Sequence, residues 1–239
     1  LAQEIGPNRI ALYARTMGIK TRIEPVTSIA IGTSAIHLLD LVAAYAVFPN
    51  KGIYVEPAAV MEIIDKDSNT IFAQKTVRRE VLRPAVAVVM TDLMRSVVDE
   101  SGGTGHNIRR RYGFKPAAAG KTGTTNDYAD AWFIGFTPHL VAGVWVGIDD
   151  PSLSLWERQS GAVAAMPLWV RFMKELYRKV EPYRSKAGET FEYPGDLVDK
   201  LAVCDDTHKL ATKYCPRQDE DIFIREGAQP ELCPQHGVN

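Results

Sequence analysis

Apolar residues recur at helical spacing in four stretches of the chain and alternate with polar ones in several others. Ile5, Ile10, Leu12, Ala14 and Met17 give residues 1–19 one apolar face, which Gly18 closes. Ile36, Leu39, Ala43 and Ala46 do the same for 35–48, with Thr33 or Ser34 placed to cap the first turn and Pro49-Asn50-Lys51-Gly52 as a breaker. Pro84 opens a third helix through about Val98, since proline is tolerated where no backbone donor is needed. Residues 161–180 carry Met166, Leu168, Trp169, Phe172, Met173, Leu176 and Tyr177 and predict a fourth. Between the helices the period falls to two. Residues 58–64 and 70–74 flank a polar turn and predict a hairpin. Strands follow at about 117–122, 131–137 and 140–148, the last two joined by a tight turn at Pro138-His139. Hairpins with flanking helices predict an α+β fold, an antiparallel sheet covered by helices.

The pattern fades after residue 180. Pro182, Pro194, Pro216, Pro230 and Pro234 punctuate a polar stretch, so 1–180 reads as the folded part and 181–239 as a loop-rich tail, partly ordered. Cys204, Cys215 and Cys233 all fall in that tail. One disulfide and a leftover thiol is the favoured expectation. A Cys₃His zinc site with His236 is the alternative, disfavoured because the spacing lacks a C-x₂-C pair. No metal and no cofactor is therefore expected.

Composition narrows the partners. A formal net charge of −1 gives no electrostatic reason to expect nucleic acid. The run Arg109-Arg110-Arg111 is expected to be a solvated loop. No stretch of about 18 apolar residues predicts a membrane-spanning helix; Pro138, His139 and several glycines interrupt the nearest one, 132–148. The chain begins at Leu1, which reads as a fragment of something longer, so a missing leader says little about location.

The candidate chemistry lies between Ala117 and Asp150. Lys121-Thr122-Gly123-Thr124 puts an ammonium, two hydroxyls and a glycine on one strand edge. Thr122 and Thr124, two apart, share a face on which both hydroxyls can donate to one carboxylate. Gly123 points the other way and permits close approach. Asp127 and Asp130 are expected to satisfy turn backbone rather than act as a catalytic pair. His106 and His139 have no Cys or carboxylate at triad spacing.

Lys121-Thr122-Gly123, the D-A-W-F-x-G run from Asp130 to Gly135, the Gly103-Thr104-Gly105 loop and the earlier GTSAIHLLDLVAAYAVFPNKG segment together resemble penicillin-binding protein transpeptidase domains, especially class A bifunctional enzymes. The resemblance spans about 1–180 and implies part of the fold shared with serine β-lactamases. It implies that Lys121 handles charge and protons, that the Thr124 N–H is half of an oxyanion hole, and that Thr122, Gly123, Thr124 and Thr104 contact the acyl donor. It implies stem peptides ending in D-Ala–D-Ala and β-lactams as partners, the extracytoplasmic face of a bacterial inner membrane as location, and a glycosyltransferase elsewhere in the protein. The chain departs from the pattern in two places: no lysine has Ser three positions earlier, and no Ser has Asn two positions later. The nucleophile and the N-terminal part of the domain are therefore expected outside this chain, which alone is expected to be inactive. The alternative is a non-catalytic binding module that keeps the carboxylate-recognising strand.

Overall fold

The computed structural model describes residues 1–150, 153–228 and 230–237. Its centre is a three-stranded antiparallel sheet of β5 (Ala119–Thr124), β6 (Asp130–Phe136) and β7 (Val141–Gly147), in that order, so β5 is an edge. Helices α3 (Leu38–Ala46) and α4 (Pro84–Asp99) cover one face, and α6 (Met166–Lys179) covers the other. This is the expected α+β arrangement.

Register assigns the faces. Lys121 pairs with Ile134 and Ile134 with Gly143, and a Cβ on Gly143 would collide with Val42 and Leu38 of α3. That row therefore lies under α3. The next row, Thr122, Phe133 and Val144, faces α6. There the fully buried Trp169 meets Phe133 edge-on at 5.3 Å and Phe114 at 5.6 Å. Such aromatic pairs contribute ~0.5–1.5 kcal/mol each beyond burial itself.

Several elements differ from the sequence reading. The first helix is two, α1 (Ala2–Ile5) and α2 (Pro7–Thr16), because Gly6 sits at φ 87° and Pro7 opens the second. α3 starts after His37 with no side-chain cap from Thr33 or Ser34. The expected hairpin is present as β2 (Glu62–Ile64) and β3 (Thr70–Ala73). A further pair, β1 (Ile53–Val55) with β4 (Arg78–Glu80), has three-residue strands too short to show alternation, and β4 is wholly charged.

Arg110 and Arg111 of the arginine run are exposed, as expected, but Arg109 is half-buried. The run lies in and beside the short α5 (Asn107–Arg110), and Arg109 binds Asp99 at 2.8 Å and the carbonyls of Phe114 and Pro116 at 2.7 Å each. It thereby holds the segment that leads into β5.

The tail is more ordered than its composition suggested. β8 (Val198–Cys204) and β9 (Gln218–Ile224) pair over their full length. Val198 and Ile222 bury against Val88 of α4. The Tyr193 hydroxyl accepts from Arg95 at 2.6 Å and donates to Asp92 at 2.7 Å, both on α4. β9 offers no alternation to read, because its first four residues, Gln218 to Asp221, are all exposed. The cysteines form no disulfide; all three are free and buried.

Candidate active site

Hydrogen-bond phase along β5 decides what its open edge offers. The Thr125 N–H donates to the Asp130 carbonyl at 3.1 Å, which makes 125 and 130 a bonded pair. Bonded and non-bonded pairs alternate in an antiparallel ladder. Gly123 and Lys121 therefore direct their N–H and C=O groups at β6, while Thr124 and Thr122 direct theirs away from it, at the open edge. The Lys121 ammonium agrees with this phase: it donates to the Thr122 carbonyl at 2.8 Å. Lys121 is exposed, and among the described residues no carboxylate lies within ion-pair distance of it.

Thr104 is brought onto this strand. Its hydroxyl oxygen is 2.9 Å from that of Thr122. The loop that carries it hugs the C-terminal end of α4, where the Gly105 N–H donates to the Val97 carbonyl at 2.9 Å. Gly103 has no room for a side chain, since a Cβ would sit 2.3 Å from the Val97 carbonyl oxygen. Thr104, Thr122, Gly123, Thr124 and Lys121 thus share one edge.

Sequence reasoning missed Gly161. Its N–H donates to the Thr124 hydroxyl oxygen at 3.1 Å. A Cβ there would meet the carbonyl oxygens of Trp132 at 2.2 Å and Gly123 at 2.5 Å. The expected helix 161–180 begins with a π-helical turn, Gly161–Ala165, before α6 proper. That widened turn sets Gly161 down on β5 and β6, and such turns are frequent at functional sites. The only sequence signal was a glycine among small residues, Ala162, Ala164 and Ala165.

The aspartates have separate duties. The Asp130 carboxylate accepts from the Trp145 indole at 2.7 Å, and its backbone N–H is held by the Thr125 hydroxyl at 2.7 Å. Asp127 occupies a left-handed turn at φ 58°. A cavity of about 400 Å³ between α3 and the Pro138-His139 turn is lined by none of Thr104, Lys121, Thr122, Gly123 and Thr124. The candidate site is the open edge of β5 and not that cavity.

The fold has counterparts among known proteins. Residues 4–173 match the family described as penicillin binding protein transpeptidase domain. Penicillin-binding protein 1A of Aquifex aeolicus is 36% identical over 198 residues, 83% of this chain and 26% of its own length. Penicillin-binding protein 2D of Bacillus subtilis is 31% identical over 235 residues, 96% of this chain and 32% of its own length. The crystal structure of penicillin-binding protein 1A from Haemophilus influenzae superposes with a TM-score of 0.81 at 23% identity, over 96% of this chain and 38% of that one, a likeness of fold. The chain thus spans about a quarter to a third of the length of these curated relatives.

Proposed function

Because this chain belongs to the penicillin-binding protein transpeptidase domain family, we propose that it supplies the substrate-carboxylate wall of a serine D,D-transpeptidase that cross-links peptidoglycan stem peptides. Residues 1–180 are the C-terminal portion of that catalytic unit, with 181–239 appended. The nucleophilic serine belongs to a part of the protein outside this chain. The substrate is a peptide ending in D-Ala–D-Ala, and β-lactams occupy the same edge. Membership of the family supports the bacterial cell envelope as the site of this chemistry; among the described residues no helix is long and apolar enough to cross a membrane.

The observation that carries the reading is the open edge of β5, where an ammonium, two hydroxyls and outward backbone donors stand together. An acyl donor laid along it meets Lys121 as counter-charge to its terminal carboxylate and as a bias on nearby proton transfer. The hydroxyls of Thr122 and Thr124 donate to that carboxylate, with Thr104 holding Thr122 in place. The Thr124 N–H points where an oxyanion develops as the serine attacks; one such donor contributes ~3–4 kcal/mol to the transition state. Collapse of the tetrahedral adduct expels the terminal D-Ala, and an amine from a neighbouring stem then takes the acyl group.

The test is covalent labelling of the full-length protein by a fluorescent penicillin, read on a denaturing gel. Labelling that an unlabelled β-lactam competes away supports the reading. A folded full-length protein that takes no label overturns it.

A further inference from the structure

The three cysteines of the tail, 29 positions apart from first to last, meet in one place. The sulfurs of Cys204, Cys215 and Cys233 and a ring nitrogen of His236 all lie within 4.8 Å of one another. His236 Nδ1 is 3.4 Å from Cys204 Sγ and 3.3 Å from Cys233 Sγ. A tetrahedral zinc with Zn–S of about 2.3 Å and Zn–N of about 2.0–2.1 Å has S···N edges of about 3.6 Å and S···S edges of about 3.8 Å. The two S···N distances are near that edge, and the four ligand atoms lie within 4.8 Å of one another.

Its surroundings have the features of a ligand shell. Cys204, Cys215 and Cys233 are 0%, 8% and 2% exposed and form a small core with Ala211, so the centre is shielded from water. The Thr212 N–H donates to Cys215 Sγ at 3.2 Å. Backbone N–H groups two and three residues downstream point at Cys204, from Asp206 and Thr207, and at Cys233, from Gln235 and His236. Donors of this kind stabilise thiolates. The far side of the imidazole, Nε2, faces the Asp206 carboxylate at 3.7 Å, and Asp206 is in turn held by Arg217 at 2.9 Å. A carboxylate on one ring nitrogen keeps the proton there and leaves the other lone pair for a metal. The Thr212 hydroxyl also donates to the His236 carbonyl, which closes the C-terminal loop over the cluster.

We propose that Cys204, Cys215, Cys233 and His236 form a closed, structural zinc site that clips the end of β8, the turn before β9 and the C-terminal segment together. A disulfide would use two sulfurs and leave a thiol and an imidazole packed against it without purpose. Three thiolates and one imidazole in tetrahedral array suit zinc, which has no redox chemistry of its own. Binding displaces the thiol protons and leaves the centre with one net negative charge.

The experiment uses the protein at its full natural length, purified in reductant, stripped with a chelator and reloaded with zinc. Elemental analysis is compared with a variant carrying Cys204→Ser, Cys215→Ser and Cys233→Ser. The wild type is expected to hold one zinc more than the variant. Cobalt in place of zinc should give the thiolate charge-transfer and tetrahedral ligand-field bands. Asp206→Ala, which keeps all four ligands, should weaken zinc by ~10–100-fold and keeps the test decisive if the triple variant fails to fold. Equal zinc in wild type and variant overturns the site. So does an intact mass showing an oxidised cysteine pair whose reduced form takes up no zinc.

Discussion

The hydroxyl oxygens of Thr104 and Thr122 lie 2.9 Å apart, although 18 positions separate them in sequence. The contact joins the loop beyond α4 to the open edge of β5. On the proposed reading, the contact orients Thr122 before a substrate arrives. Thr104→Ala and Thr122→Ala are each expected to slow β-lactam acylation of the full-length protein by no more than about tenfold, the scale of one neutral hydrogen bond. Their effects should be less than additive in the double variant. Fully additive effects would show that the two hydroxyls do not act together.

Lys121→Ala is expected to cost more. On the proposed reading, it removes a charge-assisted contact to the substrate, so the second-order acylation rate should fall by about 10²-fold or more. The fold should survive, because Lys121 is exposed and, among the described residues, its side chain bonds only to the next carbonyl. Circular dichroism supplies the folding control. Wild-type acylation by the folded variant contradicts the proposal for this strand.

Gly161→Ala tests the contact that the sequence did not reveal. The added methyl would stand 2.2 Å from the Trp132 carbonyl oxygen, a backbone atom that cannot swing aside. Destabilisation of ~1–3 kcal/mol is expected from overpacking. Acylation should fall as well, since the Gly161 N–H orients the Thr124 hydroxyl. Thermal unfolding and labelling rate measure the two effects. An unchanged melting temperature would mean that the approach is looser than described.

Arg109→Lys should destabilise through geometry and not through charge. A lysine cannot serve Asp99 and the carbonyls of Phe114 and Pro116 at once, and bonds of this charged kind contribute roughly 1.5–3 kcal/mol each. A lowered denaturant midpoint with an unchanged slope is the expected result.

Tyr193 sets an alkaline limit. Burial first, and then its hydrogen bond to Asp92, push its phenol up to about 12. A folded value above the unfolded one means the neutral form is the one stabilised. That contribution is complete below about pH 10 and is lost as the pH rises through 12. Tyr193→Phe should flatten this part of the stability–pH curve, followed by denaturant unfolding at each pH. A curve of unchanged steepness would remove Tyr193 from the account.

The central sheet was legible because β5, β6 and β7 are buried enough to force alternation, and because Pro138-His139 marks their turn. Thr104, Thr122, Gly123 and Thr124 were legible as a motif. Their hydrogen-bond phase was not, since it depends on which residue of β6 lies opposite. Gly161 escaped notice because a glycine in a small-residue run looks like a helix start, and its partners are 37 residues back. In the tail, β9 opens with four exposed residues in a row and so carries no alternating signal. The meeting of the cysteines with His236 follows from how β8 and β9 turn, which spacing alone does not encode.

The packing of the tail on α4 bears on how such a gene can change. Val88 on α4 buries against Val198 and Ile222, while Met94 on the same helix packs with Phe136 behind β5. A mosaic gene with its crossover near codon 180 would inherit α4 from one parent and the tail strands that pack on it from the other. The mismatch would fall first on the Val88 and Tyr193 contacts and then, through the helix, on the strand that carries Lys121. Viable recombinants should therefore keep α4 and residues 191–224 from one parent, and surveys of natural alleles should find their breakpoints elsewhere.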